Sequence, residues 1–500
     1  MTRFFDSPRR RWRPLLSALT VGLVLAGCAS TRGIHPEGRL LDADALSSPR
    51  SLAGAKLSEA AFPHRDWWTA SGDPQLDALI AEALASAPSL DAADARVRQA
   101  VAQAGLADAA RQPSVGAGAQ YSGVLIPEAV APEPIGGEYR GVGLLTLNLK
   151  YSPDLWGGHR ARWEAALGQA RAAEVDAQGA RLTLASNLAQ AYVGLAQAHA
   201  LHDVALADQA RASKLLGLGQ QRVKAGLDNQ LQVRQAQAGV ASAQQQAQAA
   251  DQQIDAARNA IAALLGQGPD RGLQISKPIL LAADAPALPS LLPSELLGHR
   301  PDVVAARWRV EAARRGIDVS RAEFYPTVNL AAMLGLASGH LSDLFTSDAL
   351  LVQGGPAISL PIFDGGRLRN TLARSDADFD LAVASYNGSL VSAMREVADA
   401  LQSARSTDAQ LASTRQARDA AQSALTLATS RYRAGLGNQL DVLAAQKPLL
   451  QFDQQLAALQ AQRLRAAIDL QRALGGGLTP VGPDTIRTVT STESAKASTP

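Results

Sequence analysis

Residues 222–233 read RVKAGLDNQLQV and residues 431–442 read RYRAGLGNQLDV, with eight of twelve positions identical across an offset of 209 residues. An internal repeat of this kind governs the reading of the whole chain. In each copy a glycine, Gly226 or Gly435, supplies the left-handed conformation that ends a helix, and an asparagine, Asn229 or Asn438, stands where the next helix needs its N-cap. Gln232 and Asp441 follow at the third helical position, within reach of the cap's own backbone N–H. Each copy predicts a tight turn between two helices.

The intervals around the turns also repeat. Gly158 to Gly226 is 68 residues and Gly366 to Gly435 is 69, while Gly266 and Gly475 each lie 40 residues past their turn. Upstream, Pro88 to Pro113 and Pro301 to Pro326 are both 25 residues. The chain is one unit used twice.

Composition narrows the class. Much of the 47% hydrophobic content is alanine, and 4% aromatic residues are too few for a large conventional core, so the helices are expected to pack through small residues. The net charge of +2 comes from the start of the chain, where residues 1–27 hold five arginines against Asp6, which leaves −2 for the rest. That balance gives no support to a nucleic-acid partner. Cys28 is the only cysteine, so neither an intramolecular disulfide nor a cysteine metal cluster is available.

Residues 1–27 run from an arginine-rich start through the apolar stretch 15–25, the build of an export signal. Leu25-Ala26-Gly27-Cys28 resembles the bacterial lipobox, which implies lipidation of Cys28. Ala29 in the next position, rather than aspartate, implies an outer-membrane destination. Residues 28–61 read as an extended tether.

From 62 to 266 runs the first repeat. Asp73 leads a helical stripe through Leu76, Leu79, Ile80 and Ala83. Pro113 then starts strands predicted at 113–125 and 139–152, separated by a proline-rich loop, and a helical hairpin follows at 158–265. Residues 267–300, with five prolines, form a connector. The second repeat, 301–475, carries strands at 326–337 and 355–362 and a hairpin at 366–474. Residues 476–500 read as a disordered tail. Helices of about 68 residues span ~100 Å. Four strands per chain cannot close a barrel of useful bore, so they need partners from other subunits.

Asp66-Trp67-Trp68, the two glycine-leucine turns, the proline-started strands, Phe363-Asp364-Gly365-Gly366-Arg367 and the duplication together resemble the outer membrane factor family. These are the TolC-like and OprM-like exit ducts of tripartite efflux systems, and the lipoprotein members of NodT type are the most similar. The resemblance implies a mainly α fold with a small β part. Long helical hairpins would form a periplasmic α-barrel, and four strands per chain would contribute to a trimeric 12-stranded transmembrane β-barrel. It implies a homotrimer working with a periplasmic adaptor (membrane fusion) protein and an inner-membrane transporter of RND type, and contact with outer-membrane lipid.

The resemblance also assigns sites. Gly226-Leu227 and Gly435-Leu436 fall at the tips that meet the adaptor, and glycine capping alone also accounts for the glycines. Asp441 falls on an acidic position of the periplasmic aperture, where it equally reads as a first-turn carboxylate favoured by the helix dipole. Ala444 stands where the family has a second aspartate. Asp228 against Gly437 is a difference between the copies that reads as tuning the adaptor contact.

No enzyme, cofactor or metal site is expected. His199 and His202 lie three apart on a helix, but no third ligand follows in sequence, and no G-x-S-x-G, P-loop or H-E-x-x-H is present. The expected function is a passive exit channel for small toxic compounds, with polypeptide export or a poreless periplasmic scaffold as the alternatives.

Overall fold

The computed structural model describes residues 31, 33–42, 46, 57–58, 63–127, 129–130, 137–279, 288–289 and 298–478. Cys28, the signal segment 1–27, most of the tether and residues 479–500 lie outside them. In chain order the elements are β1 (Leu57–Ser58), a 3-10 turn (Trp67–Ser71), α1 (Pro74–Ser86), α2 (Pro88–Ala109), β2 (Ser114–Leu125), β3 (Tyr139–Tyr151), α3 (Gly158–Lys224), α4 (Gln230–Leu264) and α5 (Pro269–Leu273). They continue with β4 (Leu288–Pro289), α6 (Pro301–Ala322), β5 (Thr327–Ser338), β6 (Leu350–Ser359), α7 (Arg367–Arg433) and α8 (Gln439–Ala473). The duplication is plain in the lengths: α3 and α7 have 67 residues each, α4 and α8 have 35 each.

The described residues pack as two units, each treated by itself. The first draws on Met1–Leu40, Val97–Ala172 and Ala306–Tyr386. Its centre is one antiparallel sheet in the order β2-β3-β5-β6. Both long helices start on carboxylate caps: Asp154 accepts from the amides of His159 and Arg160, and Asp364 from those of Gly366 and Leu368. Cation–π contacts then tie neighbouring elements, Arg111 in the turn after α2 to Trp163, Arg171 to Trp308 and Arg307 to Tyr386. The Asp380 carboxylate of α7 accepts from the backbone amides of Glu37 and Gly38, which pins part of the tether.

The second unit draws on Leu41–Arg96, Ala173–Ala305 and Asn387–Pro500. Its largest core joins Leu79, Ile80, Leu188, Tyr192, Leu195, Ile261 and Leu265. Asp73 caps α1 through the Gln75 amide and accepts from the buried Tyr192 hydroxyl. Arg300, nearly buried, forms a fork onto Asp302 and reaches both Glu396 and the Ala473 carbonyl, so the C-terminal end of α8 is held by charge as well as packing. β1 and β4 make a short parallel pair.

Two expectations are corrected. The strand placed at 355–362 runs Leu350–Ser359, because Leu350, Leu351 and Val352 pair with Leu336, Gly335 and Leu334. Of the tail placed at 476–500, the first three residues are folded and residues 479–500 lie outside the described residues. Gly476 packs against Leu182 and Leu478 is buried, so residues 476–478 belong to the folded unit.

Candidate functional site

The register of the sheet concentrates the polar side chains on one face. On one face Val115, Ala117, Ala119 and Tyr121 stand opposite Leu149, Leu147, Leu145 and Gly143. The same face continues through Leu330, Ala332, Leu334 and Leu336 of β5, then Pro356, Gly354, Val352 and Leu350 of β6. The other face carries Ser114, Gln120, Ser122, Lys150, Asn148, Thr146, Asn329 and Gln353, together with Val142, Leu144, Met333 and Leu351. The apolar side is uncovered in the chain, with Leu147, Leu334 and Val352 all exposed. In water such a face aggregates, whereas in lipid it is the expected surface.

Aromatic side chains close both ends of the band. Tyr139 and Tyr121 lie across Gly123 and Gly141 near one end. At the other end Trp156 stacks on Tyr325 with ring centroids 4.7 Å apart, its indole N–H donating to the Pro326 carbonyl. From Tyr139 to Tyr151 the strand climbs ~40 Å, or ~30 Å along the normal at the usual barrel tilt, which matches a bilayer's hydrocarbon layer. No helix among the described residues is long and apolar enough to cross a membrane. The sheet's outer strands β2 and β6 have open edges, which lipid does not tolerate.

At the helical turns the backbone follows the repeat. Gly226 (φ 72°) and Gly435 (φ 76°) are left-handed. The amides of Leu227 and Leu436 donate to the carbonyls of Arg222 and Arg431, and those of Gly226 and Gly435 to Val223 and Tyr432. Both are Schellman closures. Asn229 accepts from Leu231 and its amide donates to Gln232, while Asn438 and Asp441 exchange two reciprocal bonds at 3.0 Å. Glycine closure leaves Leu227 64% and Leu436 72% exposed, with Leu231 and Leu440 both at 60% one turn on. Four outward leucines on two neighbouring turns form the second exposed apolar patch.

Between the turns lies a contact that the repeat does not duplicate. Asp228 Oδ2 accepts from Arg222 Nε at 2.7 Å and from the Tyr432 hydroxyl at 2.6 Å. Arg222 also donates to the Tyr432 carbonyl and lies over its ring at 4.5 Å. Tyr432 is fully buried. Burial opposes the Asp228 carboxylate, but the bonds from Tyr432 and Arg222 and the arginine charge outweigh it and hold its pKa below the usual value. Burial, and then the bond to Asp228, push the Tyr432 phenol up to about 12. Gln439 adds a bond to the Gln232 carbonyl. The two hairpins are therefore clasped at their turns. The counterparts of Asp228 and Tyr432 in the other copy are Gly437 and Val223, so the non-repeating positions were the available signal for this pair.

Asp441 is exposed and occupied by its capping bonds, and Ala444 beside it is exposed as well. His202 pairs with Asp251 at 3.1 Å, and burial lowers the pKa of His199. No group of three or more ligand side chains that could hold a metal occurs among the described residues.

A sheet largely apolar on one face, with its polar side chains concentrated on the other, joined in sequence to long helical hairpins, defines the class of outer-membrane channel subunits. Comparison with known proteins gives the family. The outer membrane efflux protein model matches residues 79–267 and 292–476, and the chain belongs to that family. It is 40% identical over 379 residues to fusaric acid resistance protein FusA of Burkholderia cepacia, covering 74% of this chain and 71% of the relative. It is 32% identical over 466 residues to the pyoverdine export outer membrane protein OpmQ of Pseudomonas aeruginosa, covering 92% of this chain and 96% of the relative. The crystal structure of the outer membrane protein VceC from Vibrio cholerae superposes with a TM-score of 0.77 at 38% identity, covering 84% of this chain and all of that one. The protein is an outer membrane channel component of an efflux system, and not an enzyme.

Proposed function

We propose that three copies of this chain close into one passive exit duct for small toxic compounds. The observation that carries this reading is the four-stranded sheet with one largely apolar face and two open edges. Joining β6 of one copy to β2 of the next removes every edge, and three copies give an even-numbered barrel of 12 strands. The polar face then lines the bore.

In this reading Cys28 carries the lipid that holds the tether at the membrane. An inner-membrane transporter, of RND type, supplies the energy through a periplasmic adaptor. The adaptor buries Leu227 and Leu436 at the turns, because exposed leucines on a glycine-closed turn are what a docking partner covers. The clasp of Arg222, Asp228 and Tyr432 keeps the aperture closed until the adaptor engages, and Asp441 lends the aperture negative charge.

Serine at both Leu227 and Leu436 tests the docking. The expected result is drug hypersensitivity equal to that of a deletion strain, with normal trimer in the membrane. Wild-type resistance in that variant would refute docking at these turns.

A further inference from the structure

The two return helices carry a matched irregularity. α4 and α8 are each 35 residues long, and each contains one residue of the two types that disfavour a helix interior most, Gly239 in α4 and Pro448 in α8. Both are the tenth residue of their helix, at the same repeat offset of 209 as the turns. Neither caps anything. Pro448 has no N–H for the carbonyl of Ala444, four residues back, and its ring crowds that carbonyl. Gly239 has no side chain to pack, and nothing lies within 4 Å of where its Cβ would be.

The two sides of this position in α8 share one core and differ in their ion pairs. Beyond it, Leu449 is fully buried, and Asp453 is held by Arg418 at 3.0 Å and by Arg211 at 3.7 Å. On the turn side, the segment 439–447 is held by two polar contacts, Gln446 to the buried Asp208 at 2.7 Å and the buried Gln439 to the Gln232 carbonyl at 3.0 Å. Val442 lies in the small core around Tyr432. Ion pairs thus fix the long part of α8, while its first nine residues are held by hydrogen bonds and by the Tyr432 core, which Val442 shares with Leu449.

We propose that α4 and α8 bend at Gly239 and Pro448, so that residues 230–238 and 439–447 swing as short levers when the aperture opens, with Pro448 the principal pivot. The inference rests on reading the turns as a gate. A nine-residue lever is ~14 Å long, and a kink of about 20° moves its end by roughly 5 Å. Motion of that size at each turn widens a pore without unfolding either helix. Glycine gives the weaker break, so the first hairpin follows the second.

The test is single-channel recording from purified full-length protein in planar bilayers, with three variants compared with wild type. Asp228→Asn releases the clasp and should raise open probability roughly tenfold. Adding Pro448→Ala and Gly239→Ala should return it to within about twofold of wild type, because a continuous helix resists the bend. The two alanine substitutions alone should leave trimer yield and Tm equal or higher, since alanine favours a helix. If Asp228→Asn opens the channel and the added alanines leave it open, the gate stands and the hinge is refuted. If Asp228→Asn itself leaves conductance unchanged, the gate reading falls and takes the hinge with it.

Discussion

Arginine placed on the apolar sheet face should prevent assembly, while arginine one residue away should not. Leu145 is the midpoint of β3, flanked by Ala119 and Leu336 on the same face. An arginine at the bilayer midplane of a barrel costs about 2–4 kcal/mol on the lipid side. Three copies bring the cost to ~6–12 kcal/mol per trimer, several powers of ten in the assembled fraction. Thr146, the next residue, points to the polar face, where its neighbours are Asn148 and the Gly118 carbonyl. Arginine there meets water and costs close to nothing. Leu145→Arg and Thr146→Arg are to be compared by heat-modified gel mobility of outer-membrane fractions, which separates assembled trimer from monomer. Leu145→Arg should abolish the trimer band and Thr146→Arg should leave at least half of it. Equal yields from the two variants would refute the assignment of the faces, and with it the lipid-facing sheet.

Further expectations concern the turns. Tyr432→Phe removes one of the two bonds to Asp228 and should weaken the clasp by about 1–2 kcal/mol, read as more frequent openings in bilayers; unchanged gating would mean the clasp is not part of the gate. The clasp should be insensitive to pH across the neutral range. Asp228, with its folded pKa below 3.8, contributes stability above that value and loses it only as pH falls through the lowered one. Tyr432, raised from 10.0 to about 12, contributes below 10.0 and loses it as pH rises toward about 12. A clasp-dependent step in open probability between pH 5 and 9 would contradict this ordering of charges. Asp441→Ala should lower the cation preference of the closed trimer and cost about 1 kcal/mol through the lost capping box; a stability loss with unchanged ion preference would leave Asp441 as a cap alone. Gly435→Pro should abolish adaptor binding while trimers remain in the membrane, because proline cannot take the φ of 76° that closes the turn; normal drug resistance would count against docking there.

What was legible in the sequence follows from which interactions are local. A Schellman closure needs glycine at one position and a capping box needs polar side chains three apart, so Gly226, Asn229, Gly435 and Asn438 could be read as turns without any tertiary knowledge. Asp73 was legible in the same way. The start of β6 was not, because Leu350–Val352 follow a loop rich in Gly, Ser and Asp, and only pairing with Leu334–Leu336 makes them strand. Arg300 sits among prolines and shows its fork onto Asp302 and its bond to Glu396 only after folding. The clasp stood half-visible. Asp228 and Tyr432 break the repeat, but that they meet, 204 residues apart in sequence, is decided by the packing of two hairpins. Asp228, which differs from Gly437 of the other copy, makes its bonds to Arg222 and Tyr432 within the chain. The sheet faces needed the register, since alternation in each strand is interrupted by glycines.

The central claim is that this chain makes a hole through a membrane, and the most direct measurement is the conductance of the purified full-length protein in planar bilayers. A small, voltage-stable conductance in steps of one size, lost when Leu145→Arg protein is used, is the predicted result. A silent bilayer over protein that has demonstrably inserted as trimers would contradict the account.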